Sequence, residues 1–187
     1  MRVDIDHPAS FKEGVRVLLL MLRAKDGGSA KTDRKAVKKI VTQSPAEFDE
    51  ALLELRGRWQ ENERIYSTIC GRSIEKAIRI FKYRQLDADY FAPTDKESFY
   101  LDLENRWISC LKDGKASTES LFLVDLDFDT EPWAQKLDHA ILELQAKRLT
   151  FLDVYLTRNG AHIITMPFNP QLVSFPVMKN SLMLWSY

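Results

Sequence analysis

Little in this chain is supplied in excess. Its 187 residues include two cysteines, seven glycines, seven prolines and three histidines, and Lys+Arg and Asp+Glu stand at 27 each. Cys70 and Cys110 share no CxxC spacing. That argues against a disulfide framework or a zinc site and for a reducing, cytoplasmic setting. A formal net charge of zero gives no global attraction to nucleic acid or to an acidic membrane, so any such partner must meet a local patch. The longest apolar run near the N-terminus lies within VRVLLLMLRAK, is bounded by arginine, and is too short to cross a bilayer. The stretch before it, MRVDIDHPASFKEG, is too acidic for a signal peptide. Internal repeats, low-complexity segments and a P-loop pattern are all missing. The expectation is a soluble protein with no membrane contact.

The chain does have material for a core. Hydrophobic residues make up 45% and charged residues 29%, as in ordinary globular domains. The length suits one domain, alone or with a smaller appendage. From Ser10 to Ala24, Phe11, Val15, Leu18, Leu19 and Leu22 recur at helical spacing. KDGGSAKTDRK then reads as a loop. Ser44 and Pro45 open a helix with Phe48, Leu52 and Leu55 on one stripe. Residues 1–60 therefore read as a helical N-terminal region, and 61–187 as an α+β unit.

Within the second unit RIYSTIC (64–70) alternates as a strand does. The following segment, to Phe91, has helical periodicity and a basic face of Arg72, Lys76, Arg79 and Lys82. SFYLDLENRWISCL has no clear period. Residues 120–128 form a strand, Pro132 starts a helix running to about Arg148, and two alternating runs flank Asn159-Gly160, a strong hairpin signal. PFNPQLVSFP is a loop with one helical turn, and SLMLWSY is a last strand. From residue 119 onward this is the connectivity of an RRM-like, ferredoxin-like antiparallel sheet, with its first and third strands side by side. The fold class is thus α+β, with a helical N-terminal region packed on an RRM-like core at 119–187.

ESLFLVDLDFDT (119–130) sets Asp125, Asp127 and Asp129 at alternate positions. Side chains alternate across a strand, so Phe122, Val124, Leu126 and Phe128 face the helix and the acids face the other way. An Asn-Gly loop pairing Thr157 with His162 puts Asp153, Tyr155, Thr157 and His162 on that same open face. Like charges at i and i+2 call for a cation between them. Carboxylate oxygens suit magnesium, which keeps waters and takes substrate phosphates as further ligands. Equally, alternating acids can be a solvated face, a lone histidine is more often structural than catalytic, and a basic helix stripe is usually just wet.

FLVDLD followed by GAH resembles the archaeo-eukaryotic primase superfamily, which includes the primase-polymerases of phages and plasmids. Its hhhDhD and small-x-His motifs sit on strands of an RRM-like catalytic unit. The resemblance covers residues 120–187. It implies a nucleotidyltransferase of DNA replication that joins nucleoside triphosphates on a nucleic-acid template, using Mg or Mn in a one- or two-ion site. It also implies Asp125 and Asp127 as metal ligands and His162 as a triphosphate contact. The family's third, acidic motif is met here by Asn180, with Asp153 as the candidate substitute ligand. Arg72, Lys76 and Arg79 are candidate phosphate or template contacts, and a replication protein is a candidate partner.

Other readings of the acids fare worse. A haloacid dehalogenase phosphatase would need a lysine and an acidic pair after DLDFDT, in a short remaining chain. An EF-hand loop counted from Asp125 finds Thr130 and Lys136 where glycine and glutamate belong. A DxD glycosyltransferase would want a longer nucleotide-binding half. The alternative of a different class is a primase-like module that binds nucleic acid or protein without catalysis.

Overall fold

The structure is a computed structural model and describes residues 14–23, 34–60, 63–91, 96–127, 133–157 and 160–186. Strands β1 (Arg16–Arg23), β2 (Arg34–Thr42), β3 (Glu63–Thr68) and β8 (Leu182–Ser186) make one sheet, ordered β2-β1-β3-β8. Strands β4 (Phe122–Asp127), β5 (Phe151–Thr157), β6 (Gly160–Thr165) and β7 (Val177–Lys179) make a second, ordered β5-β6-β4-β7. Every neighbouring pair is antiparallel. Helices are α1 (Pro45–Arg58), α2 (Ile74–Leu86) with a π-helical turn at Asp87–Phe91, α3 (Lys96–Leu101), α4 (Leu103–Lys112) and α5 (Trp133–Ala146). The fold is α+β. No helix among the described residues is long and apolar enough to cross a membrane.

The N-terminal region is not helical throughout, because the segment expected as a first helix is the central strand β1. Its apolar run is continuous, so it satisfies helical spacing without being helical. Both faces of β1 are buried, as a near-unbroken apolar strand requires. Val17, Leu19 and Met21 pack toward Ala77 of α2 and Ile108 and Leu111 of α4. Leu18 and Leu20 pack against Phe48, Leu52 and Leu55 of α1. The expected loop after it falls mostly outside the described residues, and its last two positions, Arg34 and Lys35, begin β2. α1 starts where the sequence signals it: the Ser44 side chain accepts from the Glu47 N–H at 3.2 Å, and the Glu47 carboxylate accepts from the Gln43 N–H at 2.8 Å.

The second sheet carries the expected RRM-like order, since β4 and β6, the first and third of its strands, are central neighbours. Two details differ from expectation. The C-terminal strand β8 pairs with β3 in the first sheet, and the fourth strand of the RRM-like sheet is instead the short β7, which pairs with β4. The expected boundary at residue 60 also runs through the first sheet, which joins β1 and β2 to β3 and to the C-terminal strand. Ile69 and Cys70 after β3, Met183 of β8, and Leu121, Leu123, Tyr155 and Ile164 around the second sheet form one buried cluster, so the two sheets share a core.

The hairpin register also shifts: Thr157 pairs with Gly160 and Tyr155 with His162. The turn, Arg158 and Asn159, lies outside the described residues. Gly160 is a strand residue, not a turn residue. A Cβ there would meet the Leu126 carbonyl oxygen at 1.9 Å, so glycine lets β6 approach β4. The shift moves each strand by one residue and keeps the same residues together on each face, but the face expected to be open is covered: Tyr155 and His162 are buried, while Leu152 and Leu156, expected in the core, are exposed.

Candidate functional site

β4 leaves the core at its C-terminal end. Val124 and Leu126 are buried against Ala140 and Leu144 of α5. The alternate residues Asp125 and Asp127 lie on the opposite face, Asp125 half-buried and Asp127 exposed. Residues two apart on a strand are about 7 Å apart at Cα, so their carboxylates can bracket one cation with bound water. Asp129 lies outside the described residues.

Directly across from Asp125 on β6 is His162. Its Nε2 is 3.1 Å from Asp125 Oδ1, with the imidazole side chain 7% exposed and the Asp125 side chain 42% exposed. The Nδ1 atom is buried with no hydrogen-bond partner among the described residues. The ring therefore stands behind the carboxylate and not in solvent. The direct triphosphate contact expected of His162 does not fit this burial; its geometry is that of a group orienting Asp125.

The row across the sheet continues to Tyr155 on β5, opposite His162. Its hydroxyl donates to Asp153 Oδ2 at 2.6 Å, and Asp153 Oδ1 accepts from the Val154 N–H at 2.8 Å. Burial, and then the hydrogen bond to Asp153, push the Tyr155 phenol well above its ordinary value. Asp153 is thus held on β5, two strands from β4 and about 10 Å away at ordinary strand spacing. It cannot serve as the third ligand from there.

Asn180, the other candidate for that role, is a staple at the far end of β4. Its side-chain oxygen accepts from the buried Leu121 N–H at 3.0 Å and from the Cys70 thiol at 3.7 Å, while Nδ2 donates to the Gly114 carbonyl at 3.1 Å. Leu121 precedes Asp125 by four residues, about 13 Å along a strand. The amide bonds through both its oxygen and its nitrogen and is remote from the acids.

The basic stripe disperses too. Arg72 is completely buried. It donates to Ser117 Oγ and, at 2.8 Å, to the Asn180 carbonyl, while its backbone pairs with Val15. Burial lowers its pKa, the cost of holding a cation where it fixes three chain segments. Lys76 donates from Nζ to the Ser117 carbonyl at 2.7 Å. Arg79 pairs with Glu75 one turn back on an exposed helix face. None of the three is brought to Asp125 or Asp127. A second internal arginine, Arg16, also escapes a sequence reading: its guanidinium donates to the Thr68 carbonyl at 2.6 Å, and burial pulls its pKa down to about 10.

What the structure does bring to the acids is on the other side of β4. β7 pairs only with Phe122, Leu123 and Val124, and the next pair in register would set Pro176 against Asp125. Proline has no N–H for a ladder, so pairing stops there. The chain before it is drawn to α5, where Glu143 accepts from the Ser174 N–H at 2.9 Å and its hydroxyl at 2.7 Å. An open cleft of about 340 Å³ remains, lined by Asp125, Leu126 and Asp127, by Lys136, His139 and Ala140 of α5, and by Ser174, Phe175 and Pro176. Lys136 Nζ donates to the Asp127 carbonyl. Lys136 and His139, one helical turn apart, are the basic side chains that sequence reasoning missed; their position just after the DhD strand is the signal that could have found them.

Among the described residues no group of three or more His, Cys, Asp or Glu side chains is arranged to hold a metal. Two carboxylates nevertheless fit magnesium or manganese, whose remaining ligands are water and phosphate. No protein-family model matches the chain, and no curated protein matches it in sequence.

Proposed function

We infer that the chain is a metal-dependent nucleotidyltransferase of primase-polymerase type, acting on nucleoside triphosphates and a nucleic-acid template. The observation that supports this reading most is the paired arrangement on the central strands. Asp125 and Asp127 share one face of β4, and His162 lies opposite Asp125 with Nε2 3.1 Å from its carboxylate. The β5-β6-β4-β7 order is the sheet on which the resemblance expects those motifs. Asp125 and Asp127 would hold the divalent ion, which when bound neutralises phosphate charge and polarises the reacting oxygens. His162 acts as a positioning residue: its buried ring stands 3.1 Å behind the Asp125 carboxylate, whose outer part is exposed to solvent. The reaction is attack of a hydroxyl oxygen on the α-phosphorus, with pyrophosphate leaving and the hydroxyl proton passing to solvent.

Manganese titration by calorimetry tests the reading. The wild-type chain should bind, and Asp125→Ala or Asp127→Ala should weaken binding at least tenfold. Labelled-nucleotide incorporation on a single-stranded template should vanish in both variants. Identical isotherms in wild type and variants would end the catalytic reading. They would favour the second one, a non-catalytic nucleic-acid or protein-binding module, which draws support from the commitment of Asp153 and Asn180 to structural hydrogen bonds. No incorporation despite metal binding points the same way.

A further inference from the structure

The three residues expected to meet phosphate are committed elsewhere: Arg72 is buried before α2, Lys76 is bonded to backbone, and Arg79 is ion-paired within α2. We propose that the cleft between the open edge of β4 and α5 binds the phosphate tail of a nucleoside triphosphate, with the Lys136 ammonium and the His139 imidazole as its hydrogen-bonding contacts. This rests on the nucleotidyltransferase reading and assigns its phosphate subsite to residues that no motif marks.

Three observations converge. The first is composition: the cleft sets two groups able to donate to phosphate, Lys136 and His139, beside the two acids assigned to the divalent ion. A phosphate chain has oxygens enough for both a divalent ion that Asp125 and Asp127 would hold and the ammonium of Lys136, and charge-assisted hydrogen bonds of the latter kind are the strong ones. The second is size. About 340 Å³ is at the low end of the roughly 300–1,000 Å³ of small-molecule sites. It admits a triphosphate and leaves the sugar and base to extend outward.

The third is construction. Pro176 ends the β7 ladder opposite Asp125, and Glu143 ties Ser174 to α5, so the gap is built by the fold and not left by a loose loop. Lys136 is already held at the site by its bond to the Asp127 carbonyl. His139 is exposed, so it can turn to a ligand at little cost in packing.

The test uses the full chain with manganese and two probes, inorganic triphosphate and ATP, measured by calorimetry. Far-ultraviolet circular dichroism checks that each variant is folded. Wild type should bind both probes. His139→Ala and Lys136→Ala should each weaken both by about tenfold, the size of one such contact, and the double variant by more. Lys136→Arg, which keeps the charge, should stay near wild type, and so should Arg79→Ala on α2. If Lys136→Ala is unfolded, His139→Ala and Lys136→Arg still decide the matter. Wild-type affinities in Lys136→Ala and His139→Ala, alongside a loss in Asp127→Ala, would overturn the cleft assignment and leave the metal-dependent reading standing. Failure of wild type to bind either probe would overturn both. Loss of ATP binding with triphosphate binding intact would also overturn the cleft assignment, because the residues would then be reading the nucleoside.

Discussion

Asn180 separates the two accounts of the C-terminal segment most sharply. If it were a weakened metal ligand, Asn180→Asp would repair the site and raise metal affinity. The structure predicts the reverse. Asn180→Ala leaves the buried Leu121 N–H, now bonded at 3.0 Å, without a partner, which costs about 1–3 kcal/mol. It also puts alanine at φ 49°, a left-handed conformation that asparagine tolerates and that costs other residues about 1–2 kcal/mol. The sum is about 2–5 kcal/mol. Asn180→Gly loses the same hydrogen bonds but not the backbone term, so it should sit about 1 kcal/mol above the alanine variant. Asn180→Asp keeps the acceptor for Leu121 but turns a carboxylate oxygen toward the Gly114 carbonyl now receiving Nδ2 at 3.1 Å, at about 1–3 kcal/mol. Urea unfolding followed by tryptophan fluorescence reads all three. With a slope of about 2 kcal/mol/M, a loss of 3 kcal/mol moves the midpoint by about 1.5 M. An alanine variant within about 0.5 kcal/mol of wild type, below the destabilisation usual for a lost buried contact, would refute the staple. So would an aspartate variant that binds manganese more tightly at undiminished stability.

Two further outcomes follow from the same sheet. The Tyr155 phenol is raised by burial and by Asp153, so above the unfolded value near pH 10 the folded chain keeps a proton that the unfolded chain has lost. Wild-type stability relative to Tyr155→Phe should then be flat up to pH 9 and fall by about 1.4 kcal/mol per pH unit above about pH 10; urea midpoints at pH 8 and pH 11 check it, and a constant difference refutes it. Gly160→Ala should destabilise by about 1–3 kcal/mol, because its Cβ would meet the Leu126 carbonyl oxygen at 1.9 Å. It should also weaken manganese binding by shifting β6, and with it His162, from Asp125; thermal unfolding and the titration together test this.

The parts of this molecule that could be read from sequence are those set by neighbours in the chain. Ser44-Pro45 opens α1 because a cap and a first turn are local events. The order of the RRM-like sheet follows from strand, helix and hairpin in succession. The face of β4 bearing Asp125 and Asp127 follows from alternation alone. β1 escapes a sequence reading for a reason internal to the code: a nearly continuous apolar run such as VRVLLLML satisfies every period, and only burial on both faces decides between helix and strand. β8 could not be assigned to its sheet because its partner β3 lies over a hundred residues earlier, and pairing over such distances leaves no local signature.

The site divides along the same line. The acids announce themselves by spacing, whereas the fate of each cation is decided by what packs over it. Arg72 and Arg79 belong to one basic run in the sequence, yet Arg72, placed before α2 and bridged to Val15 and Ser117, is sealed against Ser117 and Asn180, while Arg79 on α2 is in solvent with Glu75. Charge spacing alone does not distinguish them. The deciding feature at the candidate site is a proline at the end of a three-residue strand. By lacking a donor opposite Asp125, Pro176 stops the ladder one pair early. The acidic half of β4 is then left with an open edge toward α5. Had β7 continued by two residues, strand pairing would have occupied the edge that now borders Lys136 and His139. The site is legible as chemistry from β4, but as a space only from where its neighbour ends.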